Sequence, residues 1–112
     1  MLNRLYEAKS IHNKIFLKMK LYTLRMVEST SVMEHINTLN TLFSQLTSLG
    51  YKVEANKRAK LLLQSLPYSY DQLIINMTNN IFTDYLVFDE TVVVVLEEES
   101  RHKNKEDKMV NS

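Results

Sequence analysis

The sequence predicts an all-α fold, a small bundle of about five short helices in one domain. The 112 residues include one Gly and one Pro, whereas sheets and nucleotide-binding folds need many tight turns that these two residues usually make. Apolar residues recur at spacings of three and four along most of the chain, which is the helical pattern. Hydrophobic residues make up 45% of the chain, the value of an ordinary globular domain.

The first predicted helix runs from about Leu2 to Met26, with a break expected near residues 10–13, where Ser, His and Asn cluster. Spacings of four and seven place four apolar residues on one stripe: Ile11, Ile15, Tyr22 and Met26. Five basic residues lie mostly off that stripe and are the candidate contacts for RNA: Lys9, Lys14, Lys18, Lys20 and Arg25. A solvated helix face is the favoured interpretation of these charges, because the net charge of the chain is only +1.

The second predicted helix is the most clearly amphipathic one. Ser31 and Glu34 fit the S-x-x-E capping box that starts a helix, after a short polar turn at residues 28–30. Apolar residues then step by three and four, and Gly50 stands where a left-handed C-cap is expected. The predicted core combines this stripe with that of the third helix: Ile36, Leu39, Phe43, Leu46, Leu62, Leu63 and Leu66.

A third helix is predicted from about Lys57 to Leu66, where Pro67 stops it. The segment Ser69-Tyr70-Asp71-Gln72 gives a second capping signal, S-x-x-Q, and starts a fourth helix that ends at Asn79-Asn80. The helical stripes leave over four apolar residues near this corner, which are the candidates for self-association: Leu61, Tyr70, Ile74 and Ile75. The alternative, that these four residues complete a small core, stays open.

The last segment combines signals for a strand and for a helix. The four β-branched residues Val92–Val95 favour a strand, but Leu96 and three Glu follow, and a single strand in a helical chain has no partner. We therefore predict a helix from about Asp89 to Lys103, although Val87 before it offers no capping side chain. Acid-before-base pairs four residues apart support it: Glu97 with Arg101, and Glu99 with Lys103. Residues 104–112 are predicted to be a polar, frayed tail.

No pattern in the sequence supports catalysis. The absence of Cys excludes disulfides, thiolate zinc sites and a Cys nucleophile. His12, His35 and His102 stand far apart without metal-ligand spacing, and Gly-rich phosphate loops need more than one Gly. We therefore expect no enzyme activity, catalytic residue, metal, cofactor or small-molecule substrate. Neither a membrane span nor a signal peptide is visible, so we expect a cytoplasmic chain without a membrane partner.

Several segments between residues 2 and 107 carry a family resemblance. The chain opens with Leu5-Tyr6-Glu7-Ala8-Lys9-Ser10, and near its end Phe88-Asp89-Glu90 leads into Leu96-Glu97-Glu98-Glu99. Between them, residues 61–71 join a leucine helix, a Ser-Leu-Pro stop and a Ser-Tyr-Asp restart, a combination that rarely occurs by chance. In these segments the chain resembles the gag-polypeptide of copia-type LTR retrotransposons.

The resemblance implies a structural, capsid-type protein with an all-helical fold related to retroviral capsid domains, assembling into virus-like particles. It implies that the partners are further copies of the chain and other Gag chains, with element RNA as a weaker partner. Relative to the family pattern, an upstream helix and a downstream zinc knuckle are missing, so residues 2–103 are expected to be a truncated Gag domain, a fragment or relic. The alternatives are an RNA-binding module that uses the basic face Lys9–Arg25 and a translated remnant without function.

Overall fold

The computed structural model describes the backbone of residues 2–80 and 85–111, and the side chains of residues 7–79 and 85–105. Within these ranges the chain forms helices and no strand, which confirms the predicted all-α class. The elements are α1 (Leu2–Thr23), α2 (Val32–Ser48), α3 (Ala55–Ser65), a 3₁₀ turn (Tyr68–Tyr70), α4 (Asp71–Asn80) and α5 (Phe88–Asn111). None of the helices described is both long enough and apolar enough to cross a membrane.

Helix α1 runs unbroken from Leu2 to Thr23, so the break predicted at residues 10–13 is wrong. Each Ser, His or Asn in a helix costs less than about 0.7 kcal/mol relative to Ala, which is too little to interrupt 22 residues that contain neither Gly nor Pro. Met26, which the apolar spacing places in this helix, lies beyond its end. Its backbone N–H donates to the Ser65 carbonyl oxygen at 2.7 Å, which ties the loop after α1 to α3.

The face of α1 that meets the core is not the predicted stripe. Three of the four stripe residues are exposed: Ile11, Ile15 and Tyr22. The core side is formed by Leu17 and Leu21 instead, and Leu24, just beyond the end of the helix, packs on the same core. Because apolar residues occupy both sides of this helix, their spacing predicts a helix but does not decide which side packs inward.

Helix α2 begins and ends as the sequence predicts. The Ser31 hydroxyl accepts a hydrogen bond from the Glu34 N–H at 3.2 Å, so Ser31 is the N-cap. A second acceptor comes from α5, where the Glu99 carboxylate accepts from the Val32 N–H at 2.8 Å. At the other end Gly50 has a φ of 85°, the left-handed conformation that Gly adopts without strain.

The core predicted from the α2 and α3 stripes is confirmed. Its seven members are each at most 4% exposed: Ile36, Leu39, Phe43, Leu46, Leu62, Leu63 and Leu66. The Phe43 ring packs edge-on against Phe88 of α5, with 5.6 Å between ring centres. The Arg58 guanidinium of α3 lies 5.0 Å from the centre of the Phe43 ring. The Phe43 side chain therefore joins α2, α3 and α5 in one core.

Helix α3 begins two residues earlier than predicted, at Ala55. It ends before Pro67, because the residue preceding a proline is disfavoured in the α conformation, and Leu66 accordingly has a ψ of 149°. Helix α4 starts at Asp71, after the 3₁₀ turn. The capping signal at residues 69–72 therefore marks a 3₁₀ turn that runs into α4, and Ser69 is not its N-cap.

The ambiguous last segment is a helix, as predicted, but its C-terminal end lies further along the chain. Helix α5 continues to Asn111, so the expected end at Lys103 is wrong. No Gly or Pro follows Lys103, and Lys, Glu and Met are good helix formers. At the start, Asp89 and Glu90 lie in the first turn, where negative charge interacts favourably with the helix dipole and replaces a capping side chain.

The charged side chains of α5 pair differently from the prediction. Arg101 donates to Glu98 at 2.7 Å, three residues earlier, and not to Glu97. Glu99 turns towards α2, where its carboxylate accepts the Val32 N–H. Because α5 packs against α2, the tertiary position of Glu99 decides its partner and sequence spacing does not.

The two end helices extend beyond the shared core. Helix α1 packs on α2 and α3, while α2 and α3 both pack on α5. The molecule measures 69 × 31 × 18 Å, and its radius of gyration is 17.1 Å, against about 13 Å for a compact domain of this length. Part of each end helix therefore contributes little to the core.

Candidate functional site

The arrangement nearest to a catalytic pair is formed by His35 and Ser65, and it is structural. His35 Nε2 lies 2.6 Å from the Ser65 hydroxyl, which itself donates to the Leu62 carbonyl oxygen at 2.7 Å. Because the Ser65 hydroxyl uses its proton on Leu62, it accepts a hydrogen bond from the His35 Nε2–H and donates none to the imidazole. The two residues are 4% and 2% exposed, so a substrate cannot reach them. Burial also lowers the pKa of His35, which keeps the imidazole neutral.

The other two histidines are far from this pair. His12 is exposed on α1. His102 Nε2 lies 3.1 Å from a Glu98 carboxylate oxygen, and its ring lies 4.8 Å from the Tyr70 ring. Among the residues that the structure describes, no three His, Asp or Glu side chains are grouped so that they could hold a metal ion.

Two of the four candidates for self-association lie in the core. Leu61 is 4% exposed and Tyr70 is 3% exposed, and burial raises the pKa of the Tyr70 hydroxyl to about 12. Both therefore fill the core at the α3–α4 corner and cannot contact a second molecule without local opening. Ile74 is half-buried, and Ile75 is the one candidate with an exposed side chain. The predicted patch is thus reduced to the outer side of α4.

The five basic candidates for RNA contact do not share one face. Helical residues advance by about 100° each, which places Lys9 and Lys20 about 20° apart and Lys14 and Lys18 roughly 140–180° away from Lys9. Arg25 lies beyond α1, where its guanidinium donates to the Gln64 carbonyl oxygen at 2.5 Å. The candidates were grouped by nearness in sequence, whereas helical rotation separates them into two sets.

The structure reveals an apolar surface on α1 that the sequence did not single out as a site. Four large side chains on the outer side of α1 are more than half exposed: Ile11 (58%), Ile15 (54%), Phe16 (53%) and Met19 (62%). We call these four residues the α1 apolar surface. The signal was present in the sequence, because α1 carries more apolar residues than one helix face can hold.

A second feature that sequence reasoning missed is a group of two tyrosines and two lysines near the end of α1. We call it the Tyr–Lys cluster, and its members are Lys18, Tyr22, Tyr51 and Lys57. Lys18 Nζ lies 3.8 Å from the centre of the Tyr51 ring, and Lys57 Nζ lies 5.2 Å from the centre of the Tyr22 ring. Residues 18 and 22 are one helical turn apart, but only the tertiary fold brings residues 51 and 57 to them, so local sequence could not predict this site.

Comparisons with known proteins agree on one family. The family model of the gag-polypeptide of LTR copia-type matches residues 1–108. Over 102 residues the chain is 42% identical to the Retrovirus-related Pol polyprotein from transposon TNT 1-94 of Nicotiana tabacum. That stretch covers 91% of the chain, and the chain spans 8% of the length of that polyprotein. No solved structure matches the chain.

Proposed function

Since the chain belongs to the gag-polypeptide family of LTR copia-type elements, we propose that it is a structural, capsid-type protein that self-associates in virus-like particles. The Gag-type region is the structural part of the polyprotein, which agrees with the buried and inaccessible His35–Ser65 pair. Its partners in this proposal are further copies of itself and other Gag chains in the cytoplasm.

The α1 apolar surface is the observation that supports self-association. The side chains of α1 that the structure describes include one buried residue, Leu21, so much of this helix has no partner within the chain. Monomeric domains rarely keep a contiguous apolar patch of several large side chains in water. In a symmetric pair the same patch lies on both sides of the interface, and an apolar surface is complementary to itself. We therefore assign the interface to α1 and not to the α3–α4 corner.

Sedimentation velocity over a concentration series tests this assignment with two matched variants. Ile15 of α1 is 54% exposed and Ile75 of α4 is 48% exposed, so Ile15→Glu and Ile75→Glu add the same charge to similarly exposed positions. Glu is a good helix former, so both variants should keep the helix content of the wild type. We expect a monomer–dimer equilibrium for the wild type and for Ile75→Glu, and a monomer for Ile15→Glu.

Three other results would count against the proposal. A wild-type chain that stays monomeric at every concentration contradicts self-association. If only the Ile75→Glu variant loses association, the chain self-associates through α4 and the assignment to α1 is wrong. Open-ended aggregation that neither variant changes indicates non-specific contact of apolar surface.

A translated remnant without function is the rival that thermal unfolding distinguishes. The buried residues around Phe43 form one continuous core. A domain with such a core should unfold in one cooperative transition. A remnant without a stable fold should lose circular dichroism gradually on heating. RNA binding through Lys9–Arg25 is less well supported, because these residues point in different directions.

A further inference from the structure

The Tyr–Lys cluster brings two ammonium groups to one side chain. Lys18 Nζ lies 3.8 Å from the centre of the Tyr51 ring, and Lys57 Nζ donates to the Tyr51 hydroxyl oxygen at 3.4 Å. The Tyr22 ring belongs to the same group, because its centre lies 5.2 Å from Lys57 Nζ. Helix α1, the α2–α3 loop and α3 therefore deliver two ammonium and two phenol groups to one point of the surface.

No carboxylate neutralises these two lysines in the described part of the chain, where the ion pairs belong to Glu98. The contacts of both ammonium groups are aromatic rings and phenol oxygens. An aromatic ring stabilises a cation through its quadrupole but does not cancel its charge. Lys57 is exposed and Lys18 is half-buried, so a ligand in solvent can reach them.

The tyrosine hydroxyls are also suited to an anion. The neighbouring Tyr22 side chain and the Lys57 ammonium lower the pKa of the Tyr51 hydroxyl. A more acidic hydroxyl is a stronger hydrogen-bond donor to a negatively charged oxygen. Phosphate oxygens bind where fixed positive charge and strong hydrogen-bond donors lie close together, as they do here.

We infer that the Tyr–Lys cluster binds phosphate groups, carried either by single-stranded RNA or by a free polyphosphate. Its two ammonium groups provide the point charges that phosphate recognition by Lys uses. In a nucleic acid strand, the tyrosine rings add a surface on which bases can stack. The cluster shares no residue with the α1 apolar surface, so phosphate binding and self-association can succeed or fail separately.

Fluorescence anisotropy with a labelled oligouridylate of about 12 nucleotides measures the RNA arm. The test variant is Lys18→Gln/Lys57→Gln, and the matched control is Lys9→Gln/Lys20→Gln, which removes the same two charges from α1 positions outside the cluster. Losing two charge-assisted hydrogen bonds should weaken binding at least about tenfold in the test variant. The slope of log affinity against log salt should also fall by about 1.4. The control should change affinity by less than about threefold, since it loses only distant screened charges.

Inorganic tripolyphosphate measures the second arm by competition with the oligouridylate. Competition that the Lys18→Gln/Lys57→Gln variant abolishes shows that phosphate groups alone are recognised, so a free polyphosphate suffices as ligand. Absence of competition with intact RNA binding shows that the ligand is the strand with its bases. Both results support the site. Equal losses in the two double variants, or no binding of either probe by the wild type at low salt, would overturn it.

Discussion

Acidification should destabilise the fold through His35, and replacing that residue should remove the effect. Burial lowers the pKa of His35 below 6.5, the value that applies when the chain is unfolded. The unfolded state therefore binds more protons than the folded state, and stability increases with pH through this window. Stability from the neutral imidazole is fully present above about pH 6.5 and is lost as the pH falls below it.

The pH dependence of the free energy of unfolding follows from one proton that binds His35. A single buried imidazole changes the free energy of unfolding by at most about 1.4 kcal/mol per pH unit below the unfolded pKa. Between about pH 7.5 and 5.5 the wild type should lose up to about 1.4 kcal/mol, because His35 is 4% exposed and its Nε2 lies 2.6 Å from the Ser65 hydroxyl. Protonation of His35 adds a positive charge to the core but adds no negative charge to pair with it.

Urea unfolding of the wild type and the His35→Gln variant at both pH values measures this loss. The Gln amide can still donate to the Ser65 hydroxyl but does not titrate, so its stability should depend less on pH by up to about 1.4 kcal/mol. A matched His12→Gln variant changes an exposed imidazole and should keep the wild-type pH dependence. If the His35→Gln variant loses as much stability as the wild type on acidification, the linkage to His35 is wrong.

Two further predictions concern the core and the start of α2. Phe43→Ala should cost about 3–5 kcal/mol in the free energy of unfolding, because the ring is 2% exposed and packs on Phe88; a urea midpoint like that of the wild type would contradict the core assignment. Glu99→Ala should cost about 1–2 kcal/mol, because the Val32 N–H loses its charged acceptor. The same substitution at exposed Glu97 should change stability by less than about 0.5 kcal/mol, and equal effects in thermal unfolding would contradict the cap.

The elements that the sequence predicts well are those fixed by local chemistry. Ser31 caps α2, Gly50 ends it in the left-handed conformation, and Pro67 stops α3, and each effect depends on a residue and its immediate neighbours. The core residues of α2 and α3 were also predictable, because those helices carry apolar side chains on one face. Family membership was likewise predictable, because the motif at residues 61–71 lies in continuous sequence.

The errors have a common physical origin in tertiary packing. Helix α1 is apolar on two sides, and the choice between Leu21 and Ile15 as the inward residue depends on where α2 and α3 lie. Leu61 and Tyr70 fall outside the helical stripes of the sequence, but the α3–α4 corner buries them. Glu99 has a favourable partner four residues along, but the α2 N-terminus lies nearer in the fold.

Surfaces to which several helices and loops contribute could not be predicted from local sequence. The Tyr–Lys cluster joins residues that are up to about forty positions apart, and only the packing of α1 against α3 places them together. The sequence grouped Lys18 with the other α1 lysines, whereas the fold groups it with Tyr51. Charge in this chain is therefore organised by contact between elements and not by runs of basic residues.

Amide hydrogen exchange at increasing protein concentration tests the central claim most directly. In a monomer, much of α1 lacks core contacts, and its amides should exchange rapidly because this part of the helix can open without unfolding the core. If self-association covers the α1 apolar surface, exchange at residues 8–20 should slow with increasing concentration, while the protected amides around Phe43 stay unchanged. Exchange in α1 that is the same at all concentrations, or slowing confined to α4, would contradict the account.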